Sequence, residues 1–168
     1  MMDFTKPLPE SLVIDGREYR VKTDYRDWLR FTESGEAQDV FLDASPLFTD
    51  SAIEIVHEFF IGKPSNAKES ERSGEPIIDY TIDAALIYAS FMQAYGLDLI
   101  EVKHLHWHKF LALLNGLPKD TIMSQVVGYR LYEGKDKELI KLRERWKLPK
   151  RLSETEKETA DYFESVWG

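Results

Sequence analysis

The sequence predicts a mainly α protein: a single helical domain of about six or seven helices with a small N-terminal β-hairpin. Two observations predict this fold class. Apolar and aromatic residues recur at helical spacing in several segments, and capping or helix-ending residues bound these segments. Near the N-terminus, Asp15-Gly16 lies between two segments, residues 11–14 and 17–21, that contain apolar or β-branched side chains, which is typical of a tight hairpin. A length of 168 residues favours one domain with a substantial core.

The dipeptide Thr-Asp precedes each of the next two predicted helices. It occurs at 23–24, before a helix expected over residues 24–33, and again at 49–50, before a helix expected over residues 51–60. Threonine and aspartate side chains accept hydrogen bonds from the free N–H groups of a first helical turn. The apolar positions at helical spacing are Tyr25, Trp28 and Leu29 in the first helix and Ile53, Val56 and Phe60 in the second.

A third helix is expected to start at a cap formed by Asp79 or Thr81 and to run to Tyr95, with Gly96 in a left-handed conformation after it. This helix is apolar nearly all round, which favours a central place in the core. One side carries Ile82, Ala85, Leu86, Ala89 and Met92, and other sides carry Ile87, Tyr88 and Phe91. Before this helix, the segment 62–76 is polar and lacks apolar periodicity, so we expect a loop.

Four further helices are expected in the second half of the chain. They cover residues 105–115, a segment from Asp120 through Val127, residues 137–146, and an acidic amphipathic segment within 153–168. We expect residues 1–151 to form the helical domain and residues 152–168 to form a C-terminal helix that is docked or mobile. The predicted core includes Trp28, Leu86, Phe91, Trp107, Phe110 and Leu114. Most of the aromatic residues are expected in this core, and a minority in an exposed groove for a partner helix.

Composition excludes several classes of protein. The chain contains no cysteine, which excludes disulfides, thiolate metal sites and cysteine nucleophiles. A formal charge of −8 opposes general nucleic-acid binding, although residues 135–151 contain eight basic and three acidic side chains. A nucleic-acid regulator remains an alternative based on Lys141, Arg143, Arg145, Lys147, Lys150 and Arg151. No apolar run is long enough for a membrane span and no signal peptide is recognisable, so we expect a cytoplasmic protein that does not bind membranes.

Three histidines are the best candidates for metal ligands. On one continuous helix, Glu101, His104 and His108 would share a face, and His106 lies between them in sequence. A dinuclear carboxylate site needs a second Glu-x-x-His element, and a zinc hydrolase helix needs His-Glu-x-x-His; the sequence has neither. His57 is followed by Glu58, but adjacent helical side chains point apart. We therefore predict no metal, no cofactor and no enzymatic activity.

Four sequence blocks resemble a known family. They are V-I-D-G-R-E-Y-R-V, I-Y-A-S-F-M-Q-A-Y-G-L-D-L, L-H-W-H-K-F-L-A-L-L-N-G-L-P and V-V-G-Y-R. In order and spacing they resemble the bacteriophage gp-fifteen-like proteins, which are encoded in the tail modules of siphophages and prophages of Gram-positive bacteria. Family members often have two adjacent tryptophans where this chain has Trp107 followed by His108. The resemblance implies a tail assembly chaperone without catalytic residues.

The resemblance also implies the partners and the location of the protein. In the host bacterial cytoplasm, we expect it to bind the tape-measure protein, with other tail assembly proteins as further candidate partners. Self-association is left open. The residues expected to contact the partner are Trp146, Phe163 and Trp167. The alternative is a structural tail or connector component of the virion without catalytic activity.

Overall fold

The computed structural model describes residues 5–36, 39–42, 49–62 and 76–149. In these ranges the fold is mainly α, with six helices and one two-stranded antiparallel sheet, which confirms the predicted fold class. The chain divides into two compact units. The first contains residues 1–75 and 80–125, and the second contains residues 76–79 and 126–168. In the described ranges, no helix is long and apolar enough to cross a membrane.

The N-terminal hairpin forms as the Asp-Gly pair predicts. Strand β1 (Ser11–Ile14) pairs with β2 (Arg17–Arg20). Asp15 has a φ of 50° and Gly16 a φ of 77°, and positive φ at both central residues is the requirement of the tight turn that matches strand twist. Ile14 is buried, so the hairpin contributes to the core of the first unit.

Helices α1 (Tyr25–Ser34) and α2 (Asp50–Ile61) begin at the predicted caps. The Asp24 side chain accepts a hydrogen bond from the backbone N–H of Arg26, and the Thr49 side chain accepts one from Ala52. The predicted face of α2 is partly wrong, because the buried residues are Ala52, Val56 and Phe59 whereas Ile53 is 53% exposed. Two neighbouring faces of α2 are apolar, so spacing alone did not determine which one packs.

Helix α3 (Ala84–Tyr95) begins later than predicted. Residues 80–83 form turns, and the backbone N–H of Ala84 bonds the carbonyl of Thr81 at 3.4 Å. Its cap residue is Asp83, not Asp79 or Thr81. The expected central place of α3 in the core holds for one side of this helix only. The buried residues are Ile87, Ser90 and Phe91, while Ile82, Ala85, Ala89 and Met92 are exposed.

The core of the first unit is a stack of aromatic rings. Helix α4 (Trp107–Asn115) packs against both α1 and α3. The Trp28 and Trp107 ring centroids are 6.2 Å apart, and Phe110 lies 5.6 Å from Trp107 and 5.4 Å from Phe91. Both buried indole N–H groups donate to backbone carbonyls at 2.7 and 2.8 Å, which avoids the cost of an unpaired buried donor. Five of the six predicted core residues are buried, and Leu86 is half-buried.

Helix α5 (Ile122–Arg130) contains the division between the two units, after Gln125. In the second unit, α6 (Lys137–Trp146) has Asp136 as its N-cap, whose side chain accepts from the backbone N–H groups of Glu138 and Leu139. None of the residues of α6 is fully buried. The Arg130 guanidinium donates to the carbonyls of Trp146 and Ile77 at 2.7 and 2.8 Å. The predicted C-terminal helix at 152–168 lies outside the described residues.

Candidate partner-binding groove

The three histidines do not form the metal site that a continuous helix would give. Helix α4 starts at Trp107, so Glu101 and His104 precede it and do not share a helical face with His108. The His104 ring instead lies 3.0 Å from the Thr23 hydroxyl. In the ranges that the structure describes, no group of three or more potential ligands could hold a metal ion. The geometry therefore gives these histidines structural roles.

His106 and His108 connect α4 to neighbouring segments. His106 is the N-cap of α4: its Nδ1 accepts from the backbone N–H of His108 at 3.1 Å, and its Nε2 donates to the Pro9 carbonyl at 3.0 Å. His108 Nε2 donates to the Phe59 carbonyl at 2.8 Å. Burial lowers the pKa of both rings. Neutral imidazoles suit these bonds, because protonation of His106 Nδ1 would remove the acceptor that caps the helix.

Of the other residues singled out from the sequence, His57 and Trp146 lie in the described part of the chain. His57 is exposed on α2. Trp146 is half-buried at the end of α6, and the Arg145 guanidinium lies 6.0 Å from its ring centroid. Phe163 and Trp167 lie outside the described residues. The three predicted partner contacts, Trp146, Phe163 and Trp167, therefore stay a prediction.

An apolar groove lies in the first unit between α1, α3 and the segment that precedes α4. We call it the α1/α3 groove. Its volume is about 430 Å³, which falls within the usual range for ligand pockets. The lining residues come from four parts of the chain: Tyr25, Leu29, Tyr80, Ala84, Ala85, Ile87, Tyr88, Leu99, Ile100 and Phe110.

The floor of the groove is held in place by hydrogen bonds and ring stacking. The Tyr25 hydroxyl donates to the Leu99 carbonyl at 2.5 Å, and the Tyr25 ring stacks on Phe110 with centroids 4.9 Å apart. The Arg26 guanidinium donates to the carbonyls of Leu99 and Val102 at 3.0 and 2.6 Å. These bonds fix the backbone that precedes α4 against α1. The groove is therefore preformed, which lowers the entropic cost of binding.

Apolar side chains are exposed in the groove lining and in residues close to it in sequence. The lining residue Ile100 is 72% exposed, Ile82 in the turn before α3 is 53% exposed, and Met92 of α3 is 41% exposed. Ala85 and Ala89 of α3 are exposed as well, and Ala85 also lines the groove. Exposed apolar side chains together with an apolar cavity are characteristic of an interaction site. Alanines in a wall also permit the backbone of a partner to approach closely.

Two carboxylates are hydrogen-bonded to a lining residue of the groove or to a residue next to one in sequence. The Tyr88 hydroxyl donates to Asp98 at 3.1 Å, and Asp98 also accepts from the backbone N–H groups of Ile100 and Glu101 at 2.8 and 3.2 Å. The Ile100 N–H is the main cause that lowers the pKa of Asp98, whereas the hydrogen bond to Asp98 raises the pKa of Tyr88. Thr81, which follows the lining residue Tyr80, donates to Glu33 at 2.7 Å. Together with the exposed Glu101, which follows the lining residue Ile100, these carboxylates form what we call the acidic rim.

The fold is that of a small helical protein with an apolar groove and an N-terminal hairpin. Residues 46–160 match the profile of the family described as Bacteriophage Gp15 protein. That match covers more than half of the chain, so the protein belongs to this phage family, and the resemblance predicted from the sequence blocks is confirmed. The family is one of structural, tail-related phage proteins. No curated protein and no solved structure matches the chain.

The sequence predicted that a minority of aromatic residues line a groove for a partner helix, but it did not locate this groove. Of the lining residues, Ala84, Leu99 and Ile100 were not singled out from the sequence. One available signal was the continuous apolar surface of α3, since a single neighbouring element cannot cover all sides of a helix. That signal indicates surplus apolar surface, but it does not show which side is left exposed.

Proposed function

We propose that this protein is a tail assembly chaperone that binds the tape-measure protein and keeps it soluble until the tail tube forms. The observation that carries the proposal is a preformed apolar groove on a protein of a tail-related phage family. A tape-measure protein is a very long helical chain whose apolar stripes would self-associate before assembly. A small protein with a formal charge of −8 that covers these stripes would suppress aggregation.

This role requires binding surfaces and no catalytic group or cofactor. It would be carried out in the host bacterial cytoplasm, where tail proteins are made. We assign a second contact to the C-terminal region, with Trp146, Phe163 and Trp167 as anchors, because aromatic residues dominate helical interfaces. In this proposal residues 152–168 act as a docking helix attached to the domain at 1–151.

Co-expression tests the proposed function. The tape-measure protein from the same tail module is produced with and without this chain, and its soluble fraction is measured after centrifugation. We expect soluble tape-measure protein that copurifies with this chain in the first case and aggregated protein in the second. Equal solubility in both cases would refute chaperone activity. Stoichiometric recovery of this chain from finished virions would instead support a structural tail or connector component.

A further inference from the structure

We propose that the α1/α3 groove binds an amphipathic helix of the partner whose apolar stripe is flanked by lysine or arginine. The identity of the partner rests on the proposed function, whereas the chemistry of the bound segment is argued from the groove. The floor is aromatic and aliphatic, and the rim is acidic. These two properties select an apolar segment with basic neighbours.

The shape of the groove suits a helix. Its walls are α1 and α3, and on the α3 side the lining includes the small residues Ala84 and Ala85. A helix that lies in such a groove inserts side chains spaced three or four residues apart, as in other helix-in-groove complexes. The lining residue Ile100 is 72% exposed, so the groove presents apolar surface to water. A bound helix would remove this surface from water.

The charges around the groove indicate which charged residues should flank the apolar stripe of the bound helix. Glu33 and Glu101 are exposed, and Asp98 adjoins the lining residue Tyr88. The nearby Arg26 guanidinium is paired with Asp24 at 3.2 Å, so this ion pair adds little net positive charge beside the groove. Arg30 is paired with Asp27 at 2.9 Å. Complementary charge at a rim favours the approach of basic segments and disfavours acidic ones.

The same charges argue against the C-terminal segment of this chain as the occupant. Residues 153–168 contain the apolar anchors Phe163 and Trp167, but they carry five acidic side chains and one basic side chain. An acidic helix next to an acidic rim would bring like charges together. A foreign helix with basic flanks therefore fits the groove better than the tail of the chain itself.

Direct binding tests this inference with two synthetic peptides. Both have the same stripe of leucine and phenylalanine at helical spacing; one has a lysine-rich polar face and the other a glutamate-rich polar face. Fluorescence anisotropy with the full chain measures the two dissociation constants. We expect the basic peptide to bind at least about tenfold more tightly than the acidic peptide at low salt, with a difference that shrinks at high salt. Equal affinities would overturn the inference.

Two sets of variants locate the binding. Ala85→Arg places a bulky charged side chain in the groove wall at an exposed position, and it should weaken binding of the basic peptide by about tenfold or more. Ala112→Arg is the matched control, since Ala112 is an exposed alanine of α4 outside the groove lining, and it should bind like wild type. The double variant Glu33→Gln, Glu101→Gln should weaken binding about fivefold and flatten its salt dependence. Wild-type affinity of Ala85→Arg would refute the groove as the site.

The remaining outcomes separate this inference from the proposed function. If the peptides bind as expected but co-expression leaves the tape-measure protein insoluble, the groove is supported and the chaperone role falls. If co-expression succeeds and Ala85→Arg changes nothing, the chaperone role stands and the groove assignment fails. If neither peptide binds and Ala85→Arg abolishes concentration-dependent self-association in analytical ultracentrifugation, the groove is an interface between copies, which also overturns the inference.

Discussion

Replacing Phe110 by alanine removes the ring that forms the floor of the groove and the centre of the aromatic stack. The side chain is 1% exposed, and its ring centroid lies 4.9 Å from Tyr25, 5.4 Å from Phe91 and 5.6 Å from Trp107. Loss of a buried phenylalanine typically costs about 3–5 kcal/mol. Aromatic pairs add about 0.5–1.5 kcal/mol each beyond their buried area, so we expect a value near the upper end of that range.

Urea denaturation followed by tryptophan fluorescence measures this change, because Trp28 and Trp107 are both fully buried. In thermal unfolding, a loss of about 5 kcal/mol corresponds to a melting temperature lower by roughly 10–20 °C for a chain of this size. Met92→Ala is the control at an exposed position of α3, and it should cost less than about 1 kcal/mol. A Phe110→Ala variant within about 1 kcal/mol of wild type would refute the central role of Phe110 in this packing.

Three other changes follow from the structure. Burial lowers the pKa of His106 below its ordinary value of 6.5. The contribution of the neutral ring to stability is therefore complete above about pH 6.5 and is lost as the pH falls toward the lower folded-state pKa. Urea midpoints measured from pH 5 to 8 should show this fall, and His106→Asn, which retains an acceptor for the cap, should make the fall smaller. Asp24→Ala should cost about 2–3 kcal/mol, since the carboxylate accepts from the N–H groups of Arg26 and Leu105. The control Asp27→Ala should cost less than about 1 kcal/mol. Equal unfolding free energies of the two variants would contradict the assigned bonds of Asp24. Deleting residues 152–168 should change the unfolding free energy by less than about 1 kcal/mol and still reduce capture of the tape-measure protein; unimpaired capture would exclude Phe163 and Trp167 as contacts.

Local features of the fold could be predicted because neighbouring residues determine them. The hairpin turn requires positive φ at two consecutive residues, and Asp15-Gly16 supplies both. The caps at Asp24 and Thr49 depend on a side-chain acceptor placed two or three residues before the N–H that it binds. Gly96 ends α3 with a φ of 61°, a conformation that costs glycine little. Each of these choices is made within a few residues.

The buried side of α3 could not be predicted in the same way. Apolar residues occupy nearly every side of this helix, so its sequence contains little information about orientation. The packed side includes Ser90, whose hydroxyl accepts from the backbone N–H of Met123 at 3.0 Å. A partner 33 residues further along the chain thus makes burial of a polar residue favourable. The spacing of apolar residues within α3 carries no information about such a distant hydrogen-bond partner.

The sequence by itself determined the helical class, the hairpin, most of the aromatic core and membership of the phage family. Only the tertiary structure decided that His106 caps a helix, that His108 connects α4 to the end of α2, and that Asp98 bonds a residue lining an apolar groove. The groove brings Tyr25 and Leu29 of α1 next to Ala85 of α3 and Ile100. Helical spacing relates residues within one helix, whereas this site arises from packing between elements that are distant in sequence.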